Sequence, residues 1–186
     1  MAIYLNTKAP FENYSELARE YYFVDKSEII KSLNSKVSTK SKYVCITRPR
    51  RFGKSSVADM LGAYYSKAVD SHNIFDKLKI SKDKSYKEHL NKYNVLSISF
   101  NQVSHKGNTY DDYLIKDISD KYPQIDPSEY FTINHMLNAT NDKFIFMFYD
   151  WDYIFTNNLF ENNQNDFLEF IRQLLKDQPY VALAYM

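Results

Sequence analysis

The stretch from Tyr43 to Ser56, Tyr-Val-Cys-Ile-Thr-Arg-Pro-Arg-Arg-Phe-Gly-Lys-Ser-Ser, constrains this chain more than any other. An apolar run, Tyr43 to Thr47, enters it. Val57, Met60, Leu61, Tyr64 and Ala68 leave it at helical spacing. A strand turning into a helix through Gly-Lys-Ser is the setting that a phosphate-binding loop requires. The first N–H groups of the helix have no intrahelical acceptor, and the helix dipole adds partial positive charge at the same end. Residues 47–56 are therefore the expected phosphate site. Lys54 is placed to reach β- and γ-phosphates, and the Ser55 hydroxyl to ligate magnesium. Gly53 permits close backbone approach, and Phe52 and Ser56 complete the nucleotide-binding set. Arg48 stands where such loops usually begin with glycine, and Pro49 lacks an N–H. Arg50 and Arg51 supply cationic donors that compensate. Two other readings of the segment stay open: a basic turn without a ligand, and contact with nucleic acid through Arg48, Arg50, Arg51 and Lys54.

Two further runs read as buried strands, Asn94 to Phe100 and Phe144 to Tyr149, and Tyr180 to Met186 is another candidate. Between them, Thr109 to Lys121 reads as a helix, as does the segment carrying Phe167, Phe170, Ile171, Leu174 and Leu175 before Pro179. Strands alternating with helices imply an α/β fold with a parallel sheet covered on both faces. The Ser/Lys/Thr-rich stretch 32–42 reads as a connector, which divides an N-terminal element, 1–40, from a main domain, 41–186.

The apolar run 144–149 ends in Asp150-Trp151-Asp152. A phosphate-hydrolysing loop needs an acid at the tip of a neighbouring buried strand. Asp150 is the candidate magnesium-side acid, and Asp152 the second catalytic candidate. The alternative is that both cap the following turn or helix. The four histidines lack metal-ligand spacing. Cys45, the one cysteine, sits in an apolar run and reads as a buried, inert thiol. A net charge of +1 argues against a globally basic nucleic-acid binder. The first eleven residues have no apolar stretch of signal-peptide type, and the longest apolar run falls far short of the ~20 residues of a membrane span. A cytoplasmic protein with no membrane partner is expected.

The run Thr47-Arg48-Pro49-Arg50-Arg51-Phe52-Gly53-Lys54-Ser55 resembles the phosphate loop of the predicted AAA-ATPase-like family, in which Arg-Pro-Arg-Arg-Phe-Gly-Lys replaces the glycine-rich start. Tyr22-Phe23-Val24-Asp25-Lys26-Ser27, Phe75 to Ile80 and Val95 to Phe100 are similar to other family segments. The resemblance implies a three-layer P-loop core of the additional-strand, AAA-like type with a mostly parallel sheet. In that order the Tyr180 strand lies between the Tyr43 and Phe144 strands, and the Asn94 strand lies at the far edge. The family's last strand would be missing, which leaves the Tyr43 strand exposed. Family chains often continue into a lid and a PD-(D/E)XK nuclease-like domain, so a truncated core is expected. ATP and magnesium are the implied cofactors. Protein partners, self-association and nucleic acid are left open. The family's acidic end looks like Asp-Glu-Trp-Asp or Asp-Glu-Tyr-Asp, so Tyr149 falls on its first Asp and Asp150 on its Glu. The expectation is ATP binding with weak or absent hydrolysis, against the alternative of a module that only binds nucleotide, protein or nucleic acid.

Overall fold

In the centre of the sheet, alternate side chains of one strand enter two separate cores. The computed structural model describes residues 2–47, 52–100, 110–130, 132–156 and 164–186. In chain order the strands are β1 (Ala2–Leu5), β2 (Tyr43–Val44), β3 (Asn94–Ser99), β4 (Phe144–Tyr149) and β5 (Val181–Tyr185). The α-helices are α1 (Ala9–Leu17), α2 (Glu28–Asn34), α3 (Lys54–Tyr65), α4 (His72–Phe75), α5 (Tyr86–His89), α6 (Tyr110–Lys121), α7 (Ile133–Ala139), α8 (Tyr153–Thr156) and α9 (Gln164–Leu175). The sheet order is β1-β3-β4-β5-β2, with every pairing parallel except β1 with β3.

Phe144, Phe146 and Phe148 of β4 join Leu114, Ile118, Met136, Phe167 and Leu174 in one core, beneath α6, α7 and α9. Ile145 and Met147 join the other core, built with Ile30, Leu61, Tyr64, Tyr65 and Phe75 beneath α2, α3 and α4. This is the period-2 alternation of a strand covered on both faces. Each fully buried Phe or Ile contributes ~1.5–3 kcal/mol from the area removed from water. The two cores together hold the tip of β4 in place.

The expected order of the Tyr43, Tyr180 and Phe144 strands is found, and β2 is an edge strand whose Tyr43 is 42% exposed. Its ladder to β5 is short. Ala184 N–H donates to Lys42 C=O at 2.9 Å, Met186 N–H to Val44 C=O at 3.0 Å, and Ile46 N–H to Met186 C=O at 2.7 Å. Cys45 is exposed, which corrects the expectation of a buried thiol: on an edge strand of two residues, the apolar run 43–47 is not covered on both faces.

The Asn94 strand is not at the far edge, because β1 pairs with it antiparallel. Four residues give too short a pattern to read as a strand. Asn6, at φ 56°, ends it and accepts the Val95 N–H at 2.9 Å through its side-chain carbonyl, while its amide donates to Asn94 Oδ1 at 2.7 Å. The stretch 32–42 is also more than a connector. Its first residues finish α2, and Asn34 is 4% exposed, donating to the Tyr64 hydroxyl (3.1 Å) and accepting from that of Tyr65 (2.9 Å).

α1 packs across α3 at Gly62, where an added Cβ would lie 2.8 Å from Pro10 Cβ and 3.1 Å from Pro10 Cγ. The pyrrolidine ring cannot swing aside. Gly62→Ala gains up to ~1 kcal/mol in helix propensity, but overpacking costs ~1–3 kcal/mol. A net loss of about 1 kcal/mol is expected in denaturant titrations. A stabilised variant would show that α1 yields freely.

Candidate functional site

Because β2, β5 and β4 run parallel, the ends of β2 and β4 open on the same side of the sheet, where ligands bind in open α/β folds. β2 leads into the basic loop. Of the predicted loop residues, Arg50 and Arg51 lie outside the described residues, together with Arg48 and Pro49. Gly53 caps α3 in the left-handed region, φ 79° and ψ 27°, which only glycine adopts without strain. Its C=O accepts the first helical bond, from Val57 N–H at 3.0 Å. The N–H groups of Lys54, Ser55 and Ser56 in the first turn thus have no intrahelical acceptor. Gly53 has no side chain with which to cap them. Ser55 is exposed at this end, and Phe52 is 62% exposed beside it.

Lys54 Nζ lies 3.6 Å from Asp152 Oδ2, with the two side chains 32% and 39% exposed. The ammonium is therefore turned into the cleft, toward the acidic end of β4. Asp152 is thus brought beside Lys54 at the end of β4. Lys54, Ser55, Ala58, Tyr149, Asp150, Asp152 and Tyr185 line one cleft. Asp150 occupies the turn after β4 at φ 50°, a conformation that Asp tolerates better than most residues, and its C=O accepts from Tyr153 N–H at 3.0 Å. Trp151 packs edge-on to Phe155, with ring centroids 6.4 Å apart, against the Phe-rich core.

Tyr149 points to the opposite face of β4 and donates its hydroxyl to Asp59 Oδ1 at 3.0 Å. Burial, then the neighbouring Asp59 charge, push its phenol far above the ordinary 10.0, so it remains protonated and neutral. A residue in this position cannot stand in for a carboxylate. Asp59 also accepts from Asn13 Nδ2 of α1 at 3.3 Å. Asp59 was not foreseen as a site residue. The available signal was its position four residues after Ser55, on the same face of the helix. Ser55, Asp59, Tyr149, Asp150 and Ser97 line a second cleft that adjoins the first. The Ser97 hydroxyl is buried there and meets no partner in hydrogen-bond geometry, although that of Tyr149 is close by.

Among the described residues, which do not include His105, no group of three or more His, Cys, Asp or Glu side chains is placed to hold a metal ion. His89 pairs with the Tyr93 hydroxyl at 2.7 Å and His72 with Asp76 at 3.2 Å. Although Cys45 is exposed, partial desolvation by its neighbours raises its thiol above the ordinary 9.0, with nearby Lys54 opposing, so it is no thiolate at neutral pH. Among the described residues no helix is long and apolar enough to cross a membrane.

Fold and site together define an α/β protein in which the amide-rich start of a helix faces the acidic tip of a central parallel strand. The family described as Predicted AAA-ATPase matches residues 10–178, and the chain belongs to that family. No curated protein and no solved structure matches it.

Burial raises the Asp59 carboxyl above its ordinary 3.8, with the bonds from Tyr149 and Asn13 opposing. The folded state therefore holds this proton to higher pH than the unfolded chain, and stability falls as pH rises from the ordinary carboxylate range through the raised value. Asp59→Asn should melt at or above the wild-type temperature at pH 7, with the gain gone near pH 4. Thermal melts at both pH values check this; a variant less stable at pH 7 alone would show that the charge is stabilising.

Proposed function

We propose that this chain binds magnesium-ATP at residues 47–56 and hydrolyses it slowly or not at all. The observation that carries the reading is the Lys54 ammonium, held at the helix start and turned 3.6 Å from Asp152 into the cleft. The pair is more than a third exposed on one side, so it is worth only ~0–1 kcal/mol and opens readily for a stronger anion. In the proposed complex Lys54 exchanges Asp152 for the β- and γ-phosphate oxygens. The N–H groups at the start of α3 donate to the same oxygens. Arg50, Arg51, Phe52, Gly53 and Ser56 complete the phosphate-binding loop.

The residues present fit a bound magnesium ion on one side: the exposed Ser55 hydroxyl and the Asp150 carboxylate are hard oxygen donors lining one cleft. When bound, magnesium would supply charge neutralisation between phosphates. The other side is weaker. Tyr149 stays neutral and is committed to Asp59, so Asp150 and Asp152 alone would divide the roles of holding the ion and orienting water. Asp152 is also the partner of Lys54. Binding is thereby favoured over turnover.

An interaction module is the second reading. Tyr21 (90%), Tyr22 (87%) and Phe52 (62%) are strongly exposed, an arrangement that also suits a macromolecular partner. Isothermal titration separates the two. The chain should bind magnesium-ATP, and Lys54→Ala should weaken binding by roughly tenfold or more. Phosphate release by the wild type should stay near background. Unchanged affinity in Lys54→Ala contradicts the binding site, and rapid phosphate release contradicts the reading of the acidic end.

A further inference from the structure

The loop is flanked on its other side by a feature that the motif does not contain. A Cβ placed on Gly53 would lie 3.2 Å from the Lys26 ammonium. This nitrogen therefore sits close over the turn that delivers α3. Its position is set by neighbours that are firmly anchored. Asp25 Oδ1 accepts the Ser27 N–H at 2.8 Å, and Asp25 Oδ2 accepts the Lys79 N–H at 2.8 Å. The fully buried Ser27 accepts the Ile80 N–H at 3.1 Å through its hydroxyl. The nearest carboxylate in sequence is thus occupied by backbone donors on both oxygens. Among the described residues no acid forms an ion pair with Lys26. Two ammonium groups flank Gly53, and among the described residues only Lys54 has a counter-ion.

Lys26 also borders a pocket of about 590 Å³, solvent mouth included, with Phe23, Val24, Val57 and Met60 as apolar walls and Gly53 and Ser56 at its floor. Its enclosed part, about 210 Å³, is smaller than the ~300–1,000 Å³ of whole small-ligand sites and suits one group of a ligand, such as a ring. The pocket is lined by Gly53 and Ser56 and the cleft by Lys54 and Ser55, neighbouring residues at the start of α3. A ligand that satisfies both has an anionic chain at the loop and a flat apolar group beside it.

We infer that Lys26 is a second phosphate-binding cation of this site and that the pocket it borders takes the base of the nucleotide. The inference rests on the nucleotide reading above and extends it to the segment 22–26, far upstream of the loop. Lys26, with three donors and no acceptor, serves the phosphate nearest the base, while Lys54 serves the far end of the chain. The expected ligand is a nucleoside di- or triphosphate, bound more tightly than an inorganic polyphosphate of equal charge.

The test is titration of the full chain with ATP and with inorganic tripolyphosphate, comparing wild type, Lys26→Met, Lys26→Arg and Lys54→Ala. Lys26→Met keeps the apolar stem and should weaken both ligands by about tenfold. Lys26→Arg should recover most of the loss, and the unliganded melting temperatures should agree. Wild type should prefer ATP to tripolyphosphate. If Lys54→Ala loses binding and Lys26→Met does not, this inference is overturned and the loop reading stands. Equal wild-type affinity for the two ligands overturns the base pocket. Absence of binding by wild type overturns the loop reading and the inference together.

Discussion

The parallel pairing of β4, β5 and β2 is the constraint on which the site depends. It puts the basic turn after one strand and the acidic turn after another on the same side of the sheet, with β5 between them. Gly53 adopts a left-handed backbone without a side-chain cap, and Asp150 turns at positive φ. Both are positioned by what lies behind them: β4, whose alternate side chains are fully buried in two cores, and α3, whose Met60, Leu61, Ala63, Tyr64 and Tyr65 are almost wholly buried. Site geometry is therefore a by-product of core packing, and the weak 3.6 Å pair between Lys54 and Asp152 can open without cost to the fold.

Tyr149 links that packing to chemistry. Its position at the end of β4 faces α3. The phenol reaches past the helix start to Asp59, one turn further on. The resulting bond ties β4 to α3 and, through Asn13, to α1. On the proposed reading the site has a rigid wall and a neutral phenol at this position. A nucleotide would still find donors at the loop; an attacking water would find fewer acceptors.

The central strands were legible because each is long and apolar enough to show its period: 144–149 is observed as read, and 94–100 within one residue. β1 was not, since four residues beside a polar turn carry too little pattern and its pairing with β3 spans almost a hundred residues. Edge status explains Cys45: an apolar run says nothing about which side of a sheet lacks a neighbour. Lys54 and Asp152 could be named from their motifs, but their approach could not. Asp59 and Lys26 carry no motif chemistry of their own and become informative only when the helix face and the segment 22–27 are seen folded against the loop.

Amide hydrogen exchange with and without magnesium-ATP tests the central claim most directly, because it reads the main-chain donors themselves. The account predicts slowed exchange in peptides covering residues 52–57, where first-turn N–H groups would donate to phosphate oxygens. Unchanged exchange there at saturating nucleotide, with protection appearing elsewhere in the chain, would contradict it.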